Sequence, residues 1–254
     1  MKEEAKYKSL AKALSVLELF QAKTPELGVT EICRMLGLNK SNVHSIVSTF
    51  EYMGYLEQNP KTEKYHLGTK ILEYTYVLND HLGYQRTVYP ALRNLAEASG
   101  MTAYFAIPKN NRVLYMCNAY PPSVQEENYA YRSIIGETAP MTCTSLGKAM
   151  LAFSDDEHVD KSLFIPRERF TDHTLLDEQD IRDELKAIHA AGISHDLCEH
   201  EFSVRCMGIP VFRRDGTLVG AISISGMEQS FTAEHIDRCE RLLRDVAFRL
   251  RNRF

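Results

Sequence analysis

The stretch from Leu27 to Gly68 constrains this chain more than any other, because it reads as helix, tight turn, helix and a basic two-stranded hairpin. That order of elements is a winged helix-turn-helix, which sets one helix in a DNA major groove and a hairpin beside it. Upstream, Leu10, Leu14 and Leu17, joined by Val16 and Phe20, recur at helical spacing and predict a scaffold helix ending before Thr24-Pro25. Thr30 is placed to cap a short second helix carrying Ile32, Met35 and Leu36, which stops at Gly37, a residue suited to the positive φ of the turn. Asn39 then caps a third helix.

In that third helix Val43, Ile46, Val47 and Phe50 fall at i, i+3, i+4 and i+7 and share a buried face. At 100° per residue the opposite face presents Ser41, Ser45, Ser48 and Tyr52, flanked by Asn42, His44 and Thr49, with Lys40 on the first turn. Short hydroxyl and amide groups meet base edges and phosphates, and Lys40 is placed to pair with a phosphate. After Gly54, Tyr55 to Gln58 and Lys64 to Leu67 flank the turn-rich Asn59-Pro60-Lys61-Thr62, a hairpin whose Lys61 and Lys64 suit a phosphate or minor-groove wing. The DNA-contacting candidates are therefore Thr30, Asn39, Lys40, Ser41, Asn42, His44, Ser45, Lys61 and Lys64. A winged helix devoted to protein contacts fits the same pattern, since a fold does not fix a function.

From Thr69 to about His81, Ile71, Leu72, Tyr74, Thr75 and Leu78 give a helix apolar over a wide arc, which suits a linker that seats against a partner chain or docks on its own domain. Beyond Gly83 the pattern is α+β. A helix is expected over Thr87 to Ala98, then strands near Thr102 to Ile107 and Arg112 to Asn118 joined by Lys109-Asn110-Asn111, and an irregular stretch to Pro140. A short helix follows Ser145 and a longer one spans Glu178 to Ala191. Strands near Val204 to Phe212 and Leu218 to Ser225 turn at Arg214-Asp215-Gly216, and a last helix runs from Thr232 with Ile236, Cys239, Leu243, Val246, Ala247 and Leu250 along one face. One antiparallel sheet with flanking helices fits a ligand-sensing domain, and there is no Gly-rich phosphate loop, Gly-x-Ser-x-Gly or His-Glu-x-x-His. The expected division is 1–68 winged helix-turn-helix, 69–84 linker helix and 85–254 effector domain.

Charge is consistent with DNA binding only at the amino end. The net charge is −4, yet residues 1–68 hold nine Lys and Arg against eight Glu and no Asp, leaving twenty-one against twenty-six for the rest. No apolar run reaches the length of a membrane span, and Met1 to Lys8 lacks the apolar core of a signal peptide, so a cytoplasmic location is the expectation. Cys33, Cys117, Cys143, Cys198, Cys206 and Cys239 form no Cys-x-x-Cys pair and read as buried small hydrophobes.

The carboxy half carries Gly192, three residues, Asp196, two residues, Glu199, six residues, Cys206-Met207-Gly208, two residues, and Val211-Phe212. This resembles the signature of the IclR family of bacterial transcriptional regulators. The run Ser145 to Leu151, the run Ala221 to Gly226 and the wing end Tyr65-His66-Leu67-Gly68 resemble the family's pattern too, so the similarity spans nearly the whole chain. The resemblance implies an amino-terminal winged helix and a carboxy-terminal GAF-like domain, assembled as a homodimer or dimer of dimers on double-stranded operator DNA. It also implies a small organic acid or aromatic catabolite as effector, with no cofactor, in a cavity lined by Ser145, Leu146, Asp196, Cys206, Ser223 and Ser225. The backbone amides at the start of the Ser145 helix would receive a carboxylate. Ser223 and Ser225 would face one ligand together, unless their hydroxyls are bonded to nearby backbone. Asp196 would hold a ligand hydroxyl or orient a turn. Arg213 stands where the family usually has Asp or Asn, and Ser45 where it often has arginine, so the strongest guanine contact is missing.

Two rival functions are legible. His195-Asp196, Cys198-Glu199 and His200 supply potential ligands for a metal- or redox-sensing regulator, with Asp196, Cys198 and His200 sharing a face if the strand continues. An enzyme with Cys206 as nucleophile would need a base and an orienting group, and no spacing supplies them. The sequence therefore favours a ligand-responsive transcriptional repressor.

Overall fold

Two apolar sets bury separately, and the chain divides after Leu82 into two compact units. The structure is a computed structural model that describes residues 5–122 and 134–254. Residues 1–4 of the amino-terminal segment and 123–133 of the stretch expected to be irregular lie outside the described residues.

In the first unit α1 (Lys8–Leu17), α2 (Val29–Leu36) and α3 (Lys40–Tyr52) pack around Val16, Phe20, Leu27, Ile32, Val43 and Val47, closed by Leu56 of β1 (Leu56–Gln58) and Tyr65 of β2 (Tyr65–Leu67). The expected stripe on α1 is only partly right: Val16 and Phe20 are buried, but Leu10 and Leu14 are about half exposed and α1 ends at Leu17. Thr30 does not cap α2. Gly28 holds that position, its N–H donating to Glu31 Oε2 at 2.7 Å, and Thr30 sits inside the first turn. A glutamate at N3 that reaches back to the cap residue is half of a capping box, and glycine is a tolerated cap because it leaves the backbone free. Gly37 takes φ 64° and turns the chain into α3, where Asn39 Oδ1 accepts the Asn42 N–H at 2.8 Å. The hairpin is tied back to the core by mutual 2.9 Å hydrogen bonds between Leu27 and Tyr65.

The linker helix α4 (Lys70–Leu82) belongs to this first unit. Its first residues are fixed by the Thr69 N–H donating to Glu57 Oε1 at 2.9 Å. Tyr74 stacks on Tyr55 with ring centroids 5.9 Å apart and the two hydroxyls 2.7 Å apart, while Tyr55 meets Phe50 of α3 edge to face. α3, the hairpin and α4 are thereby one aromatic-stapled body. No residue of α4 is buried, and Leu72, Tyr76, Val77 and Leu78 are each more than half exposed.

The second unit is a six-stranded antiparallel sheet in the order β5-β4-β3-β8-β7-β6, from β3 (Thr102–Lys109), β4 (Arg112–Ala119), β5 (Thr138–Pro140), β6 (Ser194–Leu197), β7 (Val204–Phe212) and β8 (Leu218–Met227). The β3-β4 turn places Asn110 and Asn111 at φ 51° and 57°, the left-handed pair that a tight hairpin with the right twist requires. One sheet face, with Phe105, Met207, Ile209, Val211, Ile222 and Ile224, is covered by α6 (Tyr89–Ser99) and α10 (Ala233–Arg251), whose Leu92, Leu95, Cys239, Leu243, Val246 and Leu250 are buried. The helix expected over Thr87 to Ala98 is α6, preceded by a separate turn of helix, α5 (Tyr84–Thr87), with Pro90 in the first turn of α6, where a missing N–H costs nothing. The other face carries α7 (Ser145–Leu151), every residue of which is buried, and α7 is in turn covered by α9 (Glu178–Ala191). Between them α8 (Asp156–Phe164), with β5 an element the sequence pattern did not reveal, adds Val159 and Leu163 to the core around α7.

Candidate functional site

Two surfaces gather the residues singled out by sequence. On the first unit, Lys40, Ser41, Asn42, His44 and Ser45 are all exposed on the first two turns of α3, opposite the fully buried Val43 and Val47. Asn39 is spent on its cap. Lys61 is exposed at the hairpin tip, whereas Lys64 is folded back onto α2, its ammonium 3.0 Å from Glu31, the same carboxylate that secures Gly28. Those two contacts, the Gly28 amide first and Lys64 second, hold the Glu31 carboxyl below its ordinary range. Lys64 therefore props the wing against α2, and Lys61 is the wing's outward cation.

On the second unit the strand register brings the effector candidates together. Asp196 of β6 lies opposite Cys206 of β7, Cys206 opposite Ser225 of β8, and Ser225 opposite Thr102 of β3. Two residues along the strands a second row runs Ser194, Gly208, Ser223, Tyr104. Opposed residues of antiparallel strands share a face, and both rows lie on the face that α7 covers. Close docking of α7 depends on Gly208: a β-carbon there would stand 2.7 Å from the Ser145 carbonyl oxygen and 2.9 Å from Ser194 Oγ. The Ser194 hydroxyl fastens the contact by donating to Ser145 O at 2.6 Å. Ser145, Leu146, Asp196 and Ser223 are thus nearly inaccessible, and the Cys206 thiol donates to Ser225 Oγ at 3.2 Å. Tyr104 and Tyr115 meet edge to face on the same side, and burial pushes both phenols up, so they remain neutral hydrogen-bonding groups.

Electrostatics on this face centre on a cluster that the sequence reading passed over. Lys148 of α7 is fully buried with its ammonium 2.6 Å from Glu184 of α9 and 2.5 Å from Glu199. Burial works against its charge, but the two carboxylates outweigh burial and hold the ammonium above its ordinary value. One lysine between two carboxylates, with Asp196 a third nearby, leaves the cluster short of positive charge. Burial accordingly raises Glu199 in spite of Lys148, and lifts Asp196 to about 7 against the pull of the Glu199 backbone N–H, which donates to Asp196 Oδ1 at 2.7 Å. Thr171 and Thr174 clamp the same turn by donating to Cys198 O at 2.6 Å and Glu199 O at 2.7 Å. Asp196 does orient a turn. A lone lysine in the otherwise apolar run Ser145 to Leu151 was the available signal for Lys148, since an amine so placed must find a buried partner.

Because Asp196 is raised, the native state holds a proton that the unfolded chain gives up near pH 3.8. Stability from this group is complete below that value and is lost as pH rises towards about 7. Asp196→Asn is therefore expected to flatten the decline in stability of the second unit across that window, read as urea midpoints against pH; an unchanged slope would place the proton elsewhere.

The potential metal ligands are not brought together. β6 ends at Leu197 and Cys198 takes φ 63°, which breaks the alternation that would set Asp196, Cys198 and His200 on one face. His200 packs on Phe170 with ring centroids 4.9 Å apart, Glu199 turns to Lys148, and no three His, Cys, Asp or Glu groups converge among the described residues. Cys206 is no better suited to nucleophilic or thiolate chemistry, because burial, with Asp196 beside it, pushes its thiol up. Among the described residues no helix is long and apolar enough to cross a membrane.

Comparison with known proteins decides the family. The helix-turn-helix domain of IclR matches residues 9–60, and the carboxy-terminal domain described as bacterial transcriptional regulator IclR C-terminal matches residues 79–251. The chain belongs to the IclR family.

IclR-family proteins are DNA-binding transcriptional regulators, not enzymes. Among the relatives, the HTH-type transcriptional regulator XynR of Escherichia coli (strain K12) is 28% identical over 219 residues, 85% of this chain and 85% of that protein. The crystal structure of an IclR transcriptional regulator from Silicibacter superposes with a TM-score of 0.85 at 24% identity, covering 96% of this chain and 95% of that one. An IclR homolog from Microbacterium hydrocarbonoxydans, solved in complex with 4-hydroxybenzoate, superposes with a TM-score of 0.79 at 21% identity over 96% of this chain and 97% of its own. At these identities the two structures establish the shared two-domain fold, and they leave the chemistry of each site to its own residues.

Proposed function

We propose that this IclR-family regulator is a ligand-responsive repressor of a catabolic operon, released from its operator by a small organic acid. The observation that carries the reading is that Asp196, Cys206, Ser223 and Ser225 share one sheet face and that α7, which begins with Ser145 and Leu146, lies over it. Serine hydroxyls and a carboxyl able to carry a proton near neutrality form a donor set for an oxygen-rich ligand. The neighbouring phenols of Tyr104 and Tyr115 suit an acid with an aromatic or hydroxylated body, the class to which the 4-hydroxybenzoate held by the Microbacterium relative belongs. α7 is only two turns long and Thr144 Oγ1 already takes its Gly147 N–H, so hydroxyls rather than helix amides carry most of the recognition.

DNA is bound through α3 with Lys40, Ser41, Asn42, His44 and Ser45, and through Lys61 on the wing. A second copy of the chain covers the exposed Leu72, Tyr76, Val77 and Leu78 of α4, giving a homodimer or dimer of dimers whose two α3 helices must match half-sites in helical phase. Since α4, the wing and α3 are joined through Tyr74, Tyr55 and Phe50, a change in α4 pairing moves α3 with it. The effector acts by favouring one such arrangement over the other.

Ser223→Ala is expected to weaken the effector response and leave operator affinity without effector intact, as read by fluorescence anisotropy on upstream DNA with pooled small carboxylates. Equal loss of both would remove the assigned pocket. Lys40→Ala is expected to weaken binding to every duplex and to reduce the slope of log K against log salt by about 1. An unchanged slope would take Lys40 out of the phosphate contacts.

A further inference from the structure

The exposed half of α3 is divided into two rows of different chemistry. Lys40, His44 and Ser48 stand at i, i+4 and i+8, and Asn42, Ser45 and Thr49 at i, i+3 and i+7, with Ser41 between the rows. The first row is cationic at its start, and its histidine is turned along the helix, with Nδ1 3.5 Å from Ser48 Oγ. The second row carries no charge. Within it the Thr49 hydroxyl is already donated to Ser45 O at 2.7 Å, and the backbone N–H of Asn42 is held by the Asn39 cap at 2.8 Å. The side-chain amide of Asn42 is exposed, sits on the third residue of the helix, and makes no hydrogen bond among the described residues.

A planar amide offers one donor and one acceptor side by side, which matches the N6 and N7 pair of adenine in the major groove and no other base edge as well. Serine hydroxyls rotate and accept either partner, so Ser41 and Ser45 carry little base preference. No arginine is present anywhere on α3 to bind guanine in two-point fashion, and Lys40, on the cationic row, is a flexible point charge suited to phosphate. We infer that Asn42 is the residue that sets operator sequence, by pairing with one adenine in each half-site, and that the Lys40 row tracks the backbone. This rests on the operator-binding reading above and adds to it the base that is read and the side chain that reads it.

The test is a selection from a randomised duplex library with the full-length protein and Asn42→Ala, followed by anisotropy on the selected and a scrambled duplex from about 50 to 200 mM salt. Alanine keeps the capped backbone N–H and removes an exposed side chain that makes no hydrogen bond among the described residues, so the variant retains the helix. Wild type is expected to enrich one fixed adenine per half-site. Asn42→Ala should accept all four base pairs there, lose about tenfold or more on the selected duplex, and keep both its salt slope and its affinity for scrambled DNA. Adenine retained by the variant, or equal loss on both duplexes, overturns the inference. Salt-steep binding by wild type with no enriched sequence also overturns it while DNA binding stands. No binding to any duplex, with Lys40→Ala indistinguishable from wild type, would instead remove the operator-binding reading on which the inference depends.

Discussion

Lys148→Met is expected to destabilise the second unit by about 3–5 kcal/mol, the usual cost of removing one partner from a buried ion pair. Lys148 lies at 0% exposure between Glu184 and Glu199. Methionine fills much of the same volume, so the loss is one of charge more than of packing. Glu184 is about a quarter exposed and can rehydrate, but Glu199 is 6% exposed and cannot. The stranded charge is therefore that of Glu199, and it sits on the turn that positions Asp196. Lys148→Met combined with Glu199→Gln is expected to recover a large part of the loss, because the neutral pair no longer buries an uncompensated carboxylate. Urea unfolding of the full chain, following the transition of the sheet-containing unit, reads both values. A single-variant loss below about 1 kcal/mol would mean that water reaches the cluster and that Lys148 is not the counter-charge assigned to it here.

What the sequence disclosed of this fold depended on whether a local rule or a distant partner decided each element. α9 is found from Glu178 to Ala191 as expected, since its apolar spacing and Gly192 mark both the helix and its end, and the two hairpins at Asn110-Asn111 and Asp215-Gly216 follow from turn chemistry alone. Gly28 took the cap expected of Thr30, because Glu31 Oε2 accepts the Gly28 N–H, the half of a capping box that asks no side chain of the cap residue. α8 was illegible for a physical reason: Val159 and Leu163 are its only buried apolar residues, too few to set a period. β5 is three residues long and ends in proline, and it exists only because β4 offers it an edge. In the site, the rows joining Asp196 to Ser225 and Ser194 to Ser223 required strand registers that no single stretch contains. The family resemblance supplied those residues as a set, but Lys148, Glu184, Thr171 and Thr174 hold the set in place through contacts 25 to 51 residues apart in sequence.

Gly208→Ala is expected to abolish the effector response while leaving the DNA-binding unit folded. The reason is space and not backbone freedom. A β-carbon on β7 would meet the carbonyl oxygen and carbon of Ser145 at 2.7 and 2.8 Å, and both are backbone atoms at the start of a helix that cannot yield by changing a rotamer. α7 would have to lift from the sheet, taking Ser145 and Leu146 away from Asp196, Cys206, Ser223 and Ser225, and breaking the 2.6 Å bond from Ser194. Such overpacking costs about 1–3 kcal/mol, so the chain remains folded but the candidate pocket changes shape. Gly37→Ala is the informative contrast, because nothing lies within 4 Å of a β-carbon there and its φ of 64° alone is at stake. It should cost about 1 kcal/mol in the first unit, through backbone strain at the turn, and leave effector binding untouched. Thermal shift with pooled carboxylates, set beside anisotropy on operator DNA, separates the two. A Gly208→Ala protein that still responds to effector would show that α7 docking is not what shapes the pocket, and would move the ligand away from the face that Ser145 covers.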